Sequence, residues 1–202
     1  MVNGIKVIVV TGGPGSGKDS LIAAITSDSE IGEFVLVETE AAAWVIAGQS
    51  MTRQDFAASE AIRITFQQVV AATQSLKVLL AVERARRTGK TTVIFNRFAF
   101  DGAAYLTGGL EEFWQITGMD PFCSNEVDAV IWTAPPPPKH YVCHDPSDPN
   151  GYRFEDYRTA AELGARVLNA YTDLGLTVHQ VAGQDNFADK REAFIRLLRR
   201  LI

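Results

Sequence analysis

The residues best placed to do chemistry stand together near the N-terminus: Gly12, Gly13, Pro14, Gly15, Ser16, Gly17, Lys18, Asp19 and Ser20. Gly12, four intervening residues and then Gly17-Lys18 give the Walker A spacing. Glycines let the backbone curl so that successive N–H groups point inward at phosphate oxygens. A helix beginning near Gly17 adds partial positive charge at the same point. Lys18 then reaches the β- and γ-phosphates of a nucleoside triphosphate. The position after the lysine ordinarily carries Ser or Thr, whose hydroxyl ligates Mg²⁺; here it is Asp19, followed by Ser20. Asp19 is the metal-ligand candidate, since hard oxygen ligands suit that ion. Its charge should weaken nucleotide binding where metal is absent. A glycine-rich turn with no ligand is the alternative, but spacing, lysine and flanking elements agree on a phosphate loop.

A loop of this kind needs a strand before it and a helix after it, and both are legible. Ile5 to Val10 is an apolar run that reads as a buried strand, and Leu21 to Ile25 reads as helix. Phe34 to Val37 is a second short strand ending in Glu38-Thr39-Glu40, two carboxylates at the edge where open α/β sheets bind ligands. Ala41 to Ala47 reads as helix, broken at Gly48-Gln49-Ser50, with Ser50 or Thr52 as a cap for the next helix. Gln54 to Thr88 holds no proline or glycine and carries a helical pattern, so long that a kink or two helices is expected. Thr91 to Phe95 is a β-branched, apolar strand leading into Asn96-Arg97. Asp101 to Leu106 and Glu111 to Thr117 read as helical, and Val127 to Trp132 as strand.

Composition then shifts to a polar, proline-rich stretch, read as a lid at about 135–158. Ala160 to Leu174 is a helix, Leu176 to Val181 a strand, and the last helix sets Phe187, Phe194, Leu198 and Leu201 on one face. The alternation predicts an α/β, three-layer P-loop fold over 1–202 as one domain. It has a parallel sheet of about five strands, helices on both faces and right-handed crossovers.

Charge and cysteine usage narrow the partners. A net charge of −5 over 202 residues argues against broad nucleic-acid or anionic-membrane binding. The basic clusters at Arg84, Arg86, Arg87 and Lys90, and at Arg196, Arg199 and Arg200, fall at predicted helix C-termini, where cations meet the helix dipole favourably. Two cysteines, Cys123 and Cys143, suggest no disulfide framework. No signal pattern and no membrane-length apolar run is seen, so a cytoplasmic protein is expected.

The motifs, taken in order, resemble a known family. The Gly-Gly-Pro-Gly-Ser-Gly-Lys loop and the Glu40-Ala41-Ala42 run are followed by Phe66-Gln67 in the long helix. Phe95-Asn96-Arg97, Asp101 with Ala104-Tyr105-Leu106, and Arg153 near the lid complete the series. Together they resemble the small P-loop ATPase/kinase family, an AAA-type ATPase domain similar to the ribosylnicotinamide kinase domain and to nucleoside and nucleotide kinases. The resemblance implies ATP and Mg²⁺ as cofactors and phosphoryl transfer to a small-molecule acceptor. Two departures stand out: the family has Asp where this chain has Asn96, and Ser or Thr where it has Asp19. A Gly-Lys-Asp-Ser loop nonetheless resembles that of ribose bisphosphate phosphokinase. Either Asp19 replaces the carboxylate lost at Asn96, or the site binds nucleotide and catalyses poorly.

An acceptor hydroxyl is helped by a carboxylate that takes its proton. Glu40 is the first candidate, by its strand-end position, with Glu38 and Asp101 as runners-up. Arg97 would grip the acceptor or its phosphate, or else form an ion pair with Asp101. Arg153 is the candidate lid guanidinium that closes over the transferring group, ahead of Arg158 and Lys139. His140, Cys143, His144 and Asp145 match no standard zinc spacing. Of Trp44, Phe56, Phe66, Phe98, Phe100, Tyr105 and Trp114, all but one or two are expected in the core. The expected function is Mg²⁺-dependent transfer of the γ-phosphoryl group of ATP to a nucleoside, nucleotide or similar small molecule. An ATPase or nucleotide-dependent switch acting on a protein partner is the rival, and a nucleotide-binding protein with degraded catalysis the third reading. A homodimer is compatible with the sequence.

Overall fold

The computed structural model describes residues 1–49, 55, 59–142 and 155–202. Its centre is β1 (Lys6–Thr11), buried along nearly its whole length, as an unbroken apolar run with cover on both faces requires. β1 pairs in parallel with β3 (Thr92–Asn96) on one side and β4 (Ala129–Thr133) on the other. β2 (Val35–Glu38) flanks β3 and β5 (Val178–Val181) flanks β4. The five-stranded parallel sheet therefore runs β2-β3-β1-β4-β5.

That order dictates where the helices go. From β1 the chain steps past β3 to β2, and every later step runs the opposite way across the sheet. Right-handed crossovers in opposite directions cover opposite faces. Ile8, Val10, Ile94 and Ile131 accordingly pack under α1 (Lys18–Ser27) and α2 (Ser29–Phe34), joined by α7 (Phe187–Leu201) after β5. Val7, Val9, Val93, Phe95 and Val130, the alternate residues, face α4 (Glu60–Arg87), α5 (Gly109–Thr117) and α6 (Tyr157–Asp173). Helix α3 (Ala41–Gln49) lies against α4 through Ala41, Val45 and Val70. This is a three-layer α/β P-loop fold. Because β1 and β3 send their crossovers to opposite faces, a crevice opens at their C-terminal ends, where such folds hold ligands.

Local boundaries depart from the pattern in three places. Helix α2 is unannounced by periodicity; the Asp28 carboxylate caps it, accepting from the N–H groups of Glu30 and Ile31 at 3.1 Å each. Helix α4 runs for 28 residues from its Ser59 cap, one helix and not two from Glu60 onward. Phe56 and most of the preceding stretch lie outside the described residues. Residues Ala99–Tyr105 form a 3₁₀ segment where the pattern over Asp101 to Leu106 read as helical. Six consecutive residues there, Ala99 to Ala104, are buried, so no face is left for solvent and amphipathic spacing never applies. Phe95, Phe98 and Phe100 continue edge to face into Phe113, Trp114 and Tyr171, tying this segment into the core. Trp44 and Tyr105 are the exposed exceptions among the aromatics singled out from sequence. No helix among the described residues is long and apolar enough to cross a membrane. Residues 143–154 of the expected lid, Arg153 included, lie outside the described residues.

Candidate nucleotide-binding site

The loop from Gly12 to Gly17 has the backbone that its glycines permit. Gly12 sits at φ 150°, Gly15 at 69° and Gly17 at 80°, where L side chains are strained. A Cβ on Gly12 would lie 2.5 Å from the carbonyl oxygen of Thr133, and one on Gly13 2.5 Å from that of Ala160. The loop is thus wedged between the end of β4 and helix α6, and the glycines are required by contact as well as by conformation. Gly17 caps α1 with no side-chain bond, so the first-turn N–H groups stay open to a ligand.

Lys18 comes next, with a side chain almost fully buried. Burial lowers its pKa to about 8; Arg97 pushes the same way, while Asp19, Glu40 and Asp101 oppose it. Among the described residues no carboxylate lies within ion-pair distance of its ammonium. A buried, unpaired cation at the mouth of a ring of N–H donors is a site for an anion.

Asp101 is the hub beneath the loop. Its Oδ2 accepts from Thr11 Oγ1 at 2.7 Å and from Arg97 at 3.0 Å, and its Oδ1 accepts from the Tyr171 hydroxyl at 2.6 Å. Both oxygens are occupied in a buried setting, so Asp101 is built as a strut and not as a base. Glu38, the other runner-up, is likewise engaged: it lies buried beneath α4, with Oε1 on Arg84 at 2.7 Å and Oε2 on Lys77 at 3.2 Å. Lys77 in turn lies 4.4 Å over the Trp44 ring. Glu40 differs, since it is half-exposed with a 3.4 Å contact to Arg97 Nε.

Arg97 joins these groups. It holds a left-handed backbone, φ 62°, at the end of β3, a strained state for a residue with a side chain. From there its guanidinium reaches Glu40, Asp101 and the carbonyl of Gly12 at 3.3 Å. The ion pair with Asp101 therefore exists, and the contact to Glu40 adds to it. Asn96, one residue earlier, donates to Asp19 Oδ1 at 2.9 Å. The structure thus brings together Lys18, Asp19, Asn96, Glu40 and Arg97, while Ser20 is exposed on α1 beside an open cleft of about 650 Å³ that α7 lines with Phe187. Lys139 is paired with Asp185 and Arg158 with Glu162, not with any of these residues. Among the described residues no three His, Cys, Asp or Glu side chains cluster as a metal site.

Three supporting residues escape the sequence reading. Thr133 at the end of β4 donates its hydroxyl to Thr11 O at 3.1 Å and is hydrogen-bonded to Ser16 Oγ at 2.9 Å. Tyr171 reaches Asp101 from α6, and Lys190 reaches Ser16 O from α7 at 2.7 Å. Lys190 carried a signal: it falls on the stripe of Phe187, Phe194, Leu198 and Leu201, where a lysine has no ordinary reason to be.

A central parallel strand running into a glycine loop, a buried lysine and a helix N-terminus together define a P-loop nucleotide-binding protein. The chain belongs to the AAA domain family, whose model matches residues 7–190, from β1 into α7 and so across every element of the site. A comparison with curated proteins found no match.

Proposed function

We propose that this chain is a Mg²⁺-dependent phosphotransferase that moves the γ-phosphoryl group of ATP to a hydroxyl of a small molecule, a nucleoside or nucleotide being the first class to test. The observation that supports this reading most is Glu40, a half-exposed carboxylate beside the phosphate loop with a 3.4 Å contact to Arg97. A carboxylate so placed can take a proton from an acceptor, which neither Asp101 nor Glu38 is free to do. Lys18 and the loop N–H groups would hold the β- and γ-phosphates. Asp19 and Asn96 offer oxygens of the kind Mg²⁺ prefers, and Asn96 Oδ1 is buried with no hydrogen-bond partner among the described residues. Such a bound cation would draw charge off the transferring group. The cleft between α1 and α7, with the Phe187 ring at its rim, would take the nucleoside half of ATP. Arg153 is proposed as the lid guanidinium. The test is an ATP-turnover assay with a panel of nucleosides, nucleotides and sugars. Turnover that depends on one acceptor class supports transfer, and equal ADP release with and without acceptors overturns it in favour of hydrolysis.

A further inference from the structure

Lys190 is the second buried lysine at the phosphate loop, and it comes from the far end of the chain. It is 3% exposed on the inner face of α7. Its ammonium donates to Ser16 O at 2.7 Å and Ala134 O at 2.5 Å. No carboxylate lies within ion-pair distance of it among the described residues. Lys139 and His140, on the segment after Ala134, are instead turned to Asp185, at 2.8 and 3.5 Å. Burying an uncompensated ammonium is costly, and burial lowers the Lys190 pKa to about 8. A cation kept in so unfavourable a place invites a reason.

Peptide geometry supplies one. In a trans peptide the carbonyl of one residue and the N–H of the next lie in one plane and point opposite ways, and the described chain has no cis bond. With the Ser16 carbonyl turned to Lys190, the Gly17 N–H points to the other side of the loop. Without the lysine that peptide is free to flip, because Gly17 accepts either orientation. A flipped carbonyl would then face an incoming phosphate and repel it.

We propose that Lys190 is a positioning residue for nucleotide: it holds the Ser16 carbonyl so that the Gly17 N–H is committed to phosphate. Through Ala134 it also fastens the loop to the root of the segment after β4. This rests on the nucleotide-binding reading above. Lys190→Met should weaken ATP binding, measured by calorimetry, about tenfold or more, and Lys190→Arg should recover most of the loss. The Gly17 amide resonance in a ¹⁵N-labelled chain should titrate near pH 8 in the wild type and still do so in Lys18→Ala, where the other low-pKa lysine is gone. Adding Lys190→Met to Lys18→Ala should abolish that titration. If Lys190→Met fails to fold, the wild-type and Lys18→Ala titrations still decide. A Gly17 amide that is silent in Lys18→Ala, or wild-type ATP affinity in Lys190→Met, overturns the role. If the wild type binds no ATP although Gly17 titrates with Lys190, the contact stands and the nucleotide reading falls, taking this role with it.

Discussion

Asn96 at the end of β3 donates its amide to the carboxylate of Asp19 in the first turn of α1, 2.9 Å away. The amide orientation is fixed by chemistry, since the flipped form would set two acceptors against each other. The negative charge resides on the helix and the neutral partner on the strand. An Asp in place of Asn96 would put two carboxylates within hydrogen-bond distance, so the two departures from the family pattern fit one another. Asp19→Ser should then bind metal-free ATP about five- to tenfold more tightly than the wild type, as about 1 kcal/mol of like-charge repulsion is lifted. Calorimetry with and without chelator measures this. Equal weakening of both proteins by chelator would show that Asp19 does not face the phosphates.

Lys18 sets a second expectation, in the protein without ligand. Its pKa falls from the ordinary 10.5 to about 8 in the folded state. The unfolded chain therefore holds more protons than the folded one between pH 8 and 10.5, and stability rises with pH across that window. Below pH 8 the full cost applies, about 3 kcal/mol as an order of magnitude. Lys18→Met should thus raise the melting temperature at pH 7 by about 2–4 °C for each kcal/mol relieved, while removing most ATP affinity. The gain should shrink toward pH 10.5. Thermal melts of both proteins at pH 7 and pH 10 decide it, and a loss of stability at pH 7 would mean that Lys18 has a stabilising partner.

These groups were unequally visible in the sequence. The phosphate loop was legible because its constraint is local: glycines at φ 69° and 80° and a lysine at fixed spacing need only neighbours in the chain. The sheet was legible because β1, β3 and β4 have unbroken apolar centres, Val7 to Val10, Val93 to Phe95 and Ala129 to Trp132. Glu38 and Glu40 looked alike, two carboxylates at one strand end, and what separates them is α4, which brings Lys77 and Arg84 onto Glu38 from some 40 residues away. Asp101 was hidden for the same reason. Its partners Thr11 and Tyr171 come from β1 and α6, and only the folded sheet sets them on one carboxylate.

That carboxylate carries the third expectation. Tyr171→Phe removes the hydroxyl that Asp101 Oδ1 accepts from at 2.6 Å, in a fully buried setting. An unsatisfied buried acceptor costs about 1–3 kcal/mol, more when charged. The melting temperature should fall by several degrees. ATP affinity should fall as well, because Asp101 holds Arg97 and Thr11, which frame Gly12. A variant that loses stability and keeps its affinity would show that the hub supports the fold without shaping the loop.

Glu40 gives the last expectation, and the one that separates transfer from hydrolysis. Its 3.4 Å contact to Arg97 is long for an ion pair, and its side chain is 29% exposed. Turning it toward an acceptor therefore breaks little, whereas turning Glu38 or Asp101 would strip a buried carboxylate of its partners. Glu40→Gln keeps the shape and one acceptor oxygen but cannot take a proton. If Glu40 is the base, turnover with the true acceptor should fall by about 10²- to 10⁴-fold. ATP affinity should stay within about twofold, since the proposed site assigns the phosphates to Lys18 and the loop. Steady-state rates with and without acceptor, with calorimetry on the same samples, give both readings. If Glu40→Gln keeps its acceptor-dependent rate, the base lies elsewhere; if it loses ATP binding instead, Glu40 belongs to the nucleotide site and Arg97 positions it there.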